Sequence, residues 1–284
     1  MAARPYPSPV RVAVAQLQPR LADVEGNVER ALAALDDAAS QGAVLVVLPE
    51  AALTGYVFDD GAAAASVALD LGGPEVAALA ERCAALDLHA VVGTLERDGD
   101  RVRNTAVTLG PQGLIGSYRK AHLPFLGVDR FVAPGDGPFD VHDTPVGRLG
   151  VEICFDLRFP ELSRALALDG AEIVCHPTNW PVQVRELADF MTRARAVENR
   201  VFLLTANRVG EENGARFCGL SQIVDPLGRR LAMAGEDEEV VLVADIDLDE
   251  ARTKTMVAAP GTYEMPIWAQ RRPELYGRLV EPTG

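Results

Sequence analysis

The stretch "GRLGVEICFDLRFPE", residues 147–161, decides how this chain is read. It starts as an apolar strand, reaches Cys154, and turns at once into a helix start marked by Pro160 and Glu161. A structural cysteine belongs among aliphatic neighbours, yet Glu152 and Asp156 stand on either side of this one. A thiol at the end of a strand, flanked by ionisable groups, raises the question of nucleophilic chemistry.

Working outward, strand-like and helix-like segments alternate. "VRVAVAQLQ" (10–18) alternates with period two and predicts a strand, and "NVERALAALDDAASQG" (27–42) has helical spacing ending in glycine. "AVLVVLPE" predicts a buried strand, and the segment at 73–88 a helix with proline in its first turn. "HAVVGTLE", "RNTAVTLG" and "GLIGSYRK" predict three neighbouring strands. After residue 147 the pattern runs strand, helix, strand, then one long helix over "QVRELADFMTRARAVENR", then three more strands. Strand–helix–strand units at both ends with paired strands between them predict a layered α/β fold with mixed sheets. No repeat or linker divides residues 1–284, so one domain is expected, with a C-terminal tail from about residue 255.

Composition narrows the function. The formal net charge of −14, with acid concentrated in stretches such as "GEDEEV" (235–240), excludes a basic footprint for nucleic acid. The longest apolar runs are too short to span a bilayer, and the first ten residues carry no apolar core of a signal peptide. Cys83, Cys154, Cys175 and Cys218 form no CxxC pair, which with the missing leader points to reduced thiols in the cytoplasm. His89, His122, His142 and His176 lack paired-ligand spacing, and there is neither a P-loop nor GxGxxG, so no metal or cofactor is expected. Only two of the 27 basic residues are lysines, Lys120 and Lys254. Where arginine supplies nearly all positive charge, a retained lysine draws attention to its compact ammonium.

Three reactive side chains sit at the carboxyl ends of predicted strands: Glu50 after "LVVLP", Lys120 after "GSYR" and Cys154 after "VEI". Sites in α/β sheets form where such ends meet. A thiol is mostly protonated near neutral pH, a nearby ammonium favours thiolate and stabilises an oxyanion, and a buried carboxylate can carry the proton. Together they predict a cysteine nucleophile forming a thioester that water releases. Cys83 and Cys175 read as core, and Cys218 has no base or lysine nearby in sequence.

In order and surroundings these residues resemble the nitrilase superfamily of carbon–nitrogen hydrolases. "LVVLPEAALTGY", "GSYRKAHLP" and "GRLGVEICFDLRFPE" are similar to its glutamate, lysine and cysteine motifs, and "RARAVENRVFLLTANRVG", "GLSQIVDPLG" and "RRPELY" match further stretches, over roughly residues 10–280. The resemblance implies a four-layer αββα sandwich, usually assembled as dimers or larger homo-oligomers. It also implies Glu50, Lys120 and Cys154 as the catalytic residues, with the Phe155 backbone N–H joining Lys120 in the oxyanion site and Lys120 offsetting the acids beside Cys154. Many members carry a second glutamate in the loop after the lysine. Here that loop, "HLPFLGVDRFVAPGD" (122–136), has none. Asp129 is the candidate second carboxylate, although a register set from the PGD end puts Val128 there, and a plain surface pairing with Arg130 is the alternative.

Phe155-Asp156 replaces the Trp-Glu usual after the cysteine of true nitrilases, which disfavours a nitrile and favours a small carboxamide, with an N-carbamoyl amine or amino acid as runner-up. Asn179 and Trp180 in "HPTNWP" are candidate pocket residues, with core packing the alternative for Trp180. Arg158 is a candidate for gripping a substrate carboxylate, against a structural pairing with Glu161. The competing readings are a non-catalytic binding homologue and acyl transfer to an acceptor other than water.

Overall fold

The computed structural model describes Tyr6 and residues 8–282. Two six-stranded sheets form its centre. The first contains, from edge to edge, β14 (Val240–Ile246), β1 (Val10–Gln16), β2 (Leu45–Val47), β3 (His89–Asp98), β4 (Arg101–Gly110) and β5 (Gly113–Arg119). The second runs β13 (Arg230–Met233), β12 (Gln222–Val224), β9 (Phe202–Asn207), β8 (Ile173–Thr178), β7 (Arg148–Val151) and β6 (Val141–Asp143). Both have a parallel centre, β1–β2–β3 and β7–β8–β9, with antiparallel strands on each side.

Period-two alternation builds the layers. On the first sheet Val12, Val14, Leu45, Val47 and Val91 enter the cluster shared with the second sheet. Their alternates Ala13, Ala15, Val46, Leu48, Ala90 and Val92 pack against α1 (Val24–Ser40) and α3 (Pro74–Leu86). A strand buried on both faces must be apolar throughout, as these are. On the second sheet, α4 (Pro160–Leu168) and α5 (Thr192–Asn199) supply the outer layer, through Leu162, Leu166, Ala167 and Ala196. The result is the expected αββα order. The short α2 (Gly61–Val67) lies against β3 and β4, the short α6 (Leu248–Arg252) follows β14, and β10 (Glu211–Glu212) and β11 (Ala215–Arg216) form a small ribbon.

Three expectations change. The long helix over 183–200 is broken into a 3-10 turn at Val182–Val184, a π turn at Leu187–Met191, and α5. The Ala188 carbonyl explains the break, because it accepts from Gln222 Nε2 (2.8 Å), Arg230 (3.1 Å) and the Thr192 hydroxyl (3.1 Å), partners that displace regular helical bonding. The tail after 255 contains a hairpin of its own, β15 (Thr255–Ala259) with β16 (Tyr263–Pro266). Finally, β7 ends at Val151, so Cys154 is the first residue of a separate turn and no part of the strand.

Candidate active site

Glu50 lies three residues beyond β2, where the chain folds over β3. That fold needs Gly93: a Cβ there would stand 2.6 Å from both Glu50 Cα and the Ala51 nitrogen, and would also strike the Pro49 carbonyl. The Glu50 carbonyl accepts from Asn179 Nδ2 at 2.9 Å. Its carboxylate is buried, with Oε1 accepting from Lys120 Nζ (2.7 Å) and Asn104 Nδ2 (2.7 Å), and with Oε2 lacking any protein partner.

Lys120 is the first residue past β5, and its backbone is tied on both sides. Its N–H donates to the Asn104 carbonyl at 2.8 Å, and its carbonyl accepts from the Gly135 N–H at 2.8 Å. The ammonium is completely buried, 2.5 Å from Asp129 Oδ2 as well as 2.7 Å from Glu50. Two carboxylates therefore take two of its three N–H donors, and the third is available to another acceptor.

Asp129 sits on the turn Gly127–Arg130, and the structure brings it into the site. It accepts from Lys120, from Asn104 Nδ2 (2.8 Å) and from the Tyr56 hydroxyl (2.8 Å). The surface pairing with Arg130 does not form: Arg130 donates instead to the carbonyls of Gly127 and Phe58.

Cys154 opens the 3-10 turn Cys154–Arg158 with a left-handed φ of 49°. Such a backbone costs roughly 1–3 kcal/mol in a residue with a side chain and needs surrounding contacts to hold it. His176 Nε2 donates to the Cys154 carbonyl at 3.2 Å. Thr178 and the Asn179 backbone N–H lie against the thiol, which is close enough to Glu50 and Lys120 to feel both charges. Phe155 follows on the first turn, where backbone N–H groups lack intrahelical acceptors.

Electrostatics favour a neutral thiol at rest. Burial pushes the Cys154 thiol up to about 12, Glu50 adds to this, and Lys120 opposes it without winning. Burial likewise raises the Glu50 carboxyl, against the pull of Lys120. For Lys120, burial lowers its proton affinity, but Asp129 and Glu50 outweigh burial and hold it as the ammonium.

The acids flanking Cys154 turn elsewhere, which corrects the expectation that Lys120 offsets them. Glu152 accepts from the Ser163 hydroxyl at 2.6 Å, and Asp156 is occupied by Tyr118, His122 and Ile153. The acids that Lys120 does pair with are Glu50 and Asp129. Arg158 is exposed, its guanidinium 6.0 Å from the Phe155 ring, and the expected pair with Glu161 is absent among the described residues. Asn179 is buried under Glu50 with Oδ1 unpartnered; Trp180 is buried 5.2 Å from the His176 ring with Nε1 unpartnered. Cys83, Cys175 and Cys218 are buried, free thiols.

Two residues that the sequence reading did not single out complete the site. Asn104 donates to both carboxylates, and Tyr56 holds Asp129. Behind them, the buried Arg208–Glu212 pair (2.7 Å) fixes the Tyr56 and Val57 N–H groups through Glu212 Oε2, at 2.8 and 2.6 Å. Asn104 stands between Arg103 and Thr105 on a strand of mixed polarity, so nothing local marks it, and nothing local marks Glu212.

Residues 11–255 match the family model described as carbon-nitrogen hydrolase. The chain belongs to this family, the nitrilase superfamily. It is 41% identical over 270 residues to a protein named nitrilase from Pyrococcus abyssi, covering 95% of this chain and 100% of that one. It is 31% identical to the human omega-amidase NIT2, covering 94% and 96%. Among solved structures it is similar to a mutant of the amidase from Nesterenkonia sp. AN1, with a TM-score of 0.82 at 26% identity over 95% of this chain and 97% of that one. That amidase carries the acetamide moiety of fluoroacetamide added covalently at its active-site cysteine. The chain is thus a carbon–nitrogen hydrolase of the amidase-like branch. No helix among the described residues is long and apolar enough to cross a membrane.

Proposed function

We propose that this carbon–nitrogen hydrolase releases ammonia from a small carboxamide through a thioester on Cys154. The observation that carries the reading is the buried hydrogen-bonded unit beside that thiol, with Lys120 Nζ 2.7 Å from Glu50 and 2.5 Å from Asp129. Because the thiol rests protonated, attack and proton transfer go together: sulfur bonds to the amide carbon while its proton passes to Glu50. The oxyanion is held by Lys120 and the Phe155 N–H. Collapse breaks the C–N bond, and Glu50 gives the proton to the leaving nitrogen. Water then attacks the thioester with Glu50 as base, the acid departs, and the thiol is restored. Asp129 serves as the second carboxylate that orients Lys120, while Asn179 and Trp180 border the pocket.

The cysteine adduct of the Nesterenkonia amidase supports the nucleophile assignment. A cytoplasmic homodimer is part of the proposal; four free thiols and the exposed apolar side chains of Leu275, Leu279 and Val280 support it, with light scattering as the check. The deciding experiment is mass spectrometry with a slow amide substrate, together with ammonia release across small amides, N-carbamoyl compounds and nitriles. An acyl adduct on Cys154, absent in Cys154→Ala, is expected, with amides turned over fastest. Full ammonia release by Cys154→Ala would reject the mechanism, and faster turnover of nitriles or N-carbamoyl compounds would reject the substrate class.

A further inference from the structure

We propose that Asp156 is a positioning residue that holds the Lys120 loop and the Cys154 turn in one fixed relation. Asp156 is fully buried and accepts four hydrogen bonds from three residues on two segments of chain. Oδ2 takes the Tyr118 hydroxyl at 2.8 Å and the Ile153 N–H at 3.0 Å. Oδ1 takes the His122 N–H at 3.0 Å and His122 Nδ1 at 2.7 Å.

The sequence positions of these donors give the arrangement its meaning. Tyr118 lies two residues before Lys120 and His122 two residues after it, while Ile153 immediately precedes Cys154. One carboxylate thus grips the lysine segment on both sides and the nucleophile segment at its hinge. Two further contacts close the clamp: the Ala121 N–H donates to the Tyr118 hydroxyl at 3.3 Å, and the His122 ring stacks on Phe159 with centroids 3.6 Å apart and planes 9° from parallel. Phe159 lies just past the turn that carries Cys154, so the two segments are joined by charge-assisted hydrogen bonds and by ring contact. Asp156 has no contact with Glu50 or Asp129 and acts only through the segments that it holds.

This inference rests on Lys120 stabilising the oxyanion of a Cys154 adduct. Amide hydrolysis needs that oxyanion contact, whereas alkylation of the thiol by iodoacetamide forms no oxyanion. Loss of the clamp therefore separates two reactions that a collapsed site would lose together. For Asp156→Asn, the expected result is a fall in kcat of about 100-fold toward a small aliphatic amide. KM stays within about threefold, and Cys154 alkylation, read by mass spectrometry, stays within about threefold of the parent rate. Tyr118→Phe and His122→Phe, the latter keeping its ring on Phe159, are expected to lower kcat about tenfold each with alkylation retained. Tyr118→Phe combined with Asp156→Asn is expected to be no slower than Asp156→Asn alone.

Should Asp156→Asn fail to fold, the two phenylalanine variants carry the test. The proposal is overturned if the folded variants keep the parent kcat, if hydrolysis and alkylation fall in step, or if the two substitutions add. Full activity in Cys154→Ala would instead sink the thioester reading itself, so the two failures are told apart.

Discussion

Gly93→Ala tests how much of the rate depends on the placement of Glu50, without touching an ionisable group. Gly93 lies in β3 with no left-handed backbone requirement, so alanine fits its dihedral angles. The obstacle is space: the new Cβ would stand 2.6 Å from Glu50 Cα and from the Ala51 nitrogen, where ordinary contact begins near 3.4 Å. The Pro49 carbonyl oxygen is nearer still, at 2.4 Å, and all three obstacles are backbone atoms, so the Glu50 segment must retreat by about 0.8–1.0 Å. Overpacking of this kind costs about 1–3 kcal/mol in stability. Misplacement of a reacting group by about 1 Å costs about 10²-fold in rate, equivalent to about 2.7 kcal/mol. The assay is steady-state ammonia release, with thermal unfolding on the same samples and Gly277→Ala, where a Cβ meets nothing within 4 Å, as the control. A folded Gly93→Ala protein with kcat reduced about 100-fold and KM little changed is expected. A folded variant within twofold of the parent kcat would refute the link between this glycine and the acid–base group.

Other outcomes follow from the same geometry. With the Cys154 thiol held near 12 by burial, its alkylation rate by iodoacetamide should climb from pH 6 to pH 10 without a plateau; levelling off below pH 8 would contradict a neutral resting thiol. Lys120→Met leaves Glu50 and Asp129 buried against each other and should lower unfolding stability by about 3–5 kcal/mol near pH 7, measured by urea titration. Burial raises the Glu152 carboxyl to about 7, so the folded state holds its proton over a range in which the unfolded chain, near 4.5, has released it. Stability from this group is therefore present below pH 4.5 and lost as pH rises to about 7, by about 3 kcal/mol. Glu152→Gln should remove that slope, becoming more stable than the parent above pH 7; an unchanged difference between pH 5 and pH 8 would count against it.

The legible part of this molecule is the part written in short-range pattern. Alternation of Val12 and Val14 with Ala13 and Ala15 marks a strand buried on both faces, and both faces are indeed covered. Glu50, Lys120 and Cys154 stood out because each ends a predicted strand. What the pattern left open was direction. Glu152 and Asp156 border Cys154 in sequence yet face Ser163 and the Tyr118–His122 segment, since adjacent residues point different ways. Asp129 depended on how a loop closes, and that closure is set by Tyr56 and Asn104, far away in the chain. The break before α5 likewise depends on Gln222 and Arg230, more than thirty residues downstream of Ala188.

The second carboxylate also bears on why the proposed cycle works with a buried lysine. When Glu50 takes the thiol proton, its charge is lost at the moment when the oxyanion needs a fixed cation. A lysine paired with Glu50 alone would then lose its only anchor. Asp129, 2.5 Å from Nζ and itself held by Asn104 and Tyr56, keeps the ammonium charged and in place in both protonation states of Glu50. Asn104 donates to both acids, so the spacing between them does not depend on which one carries the charge. A preorganised cation of this kind stabilises the transition state without reorganising, which is where electrostatic catalysis gains most.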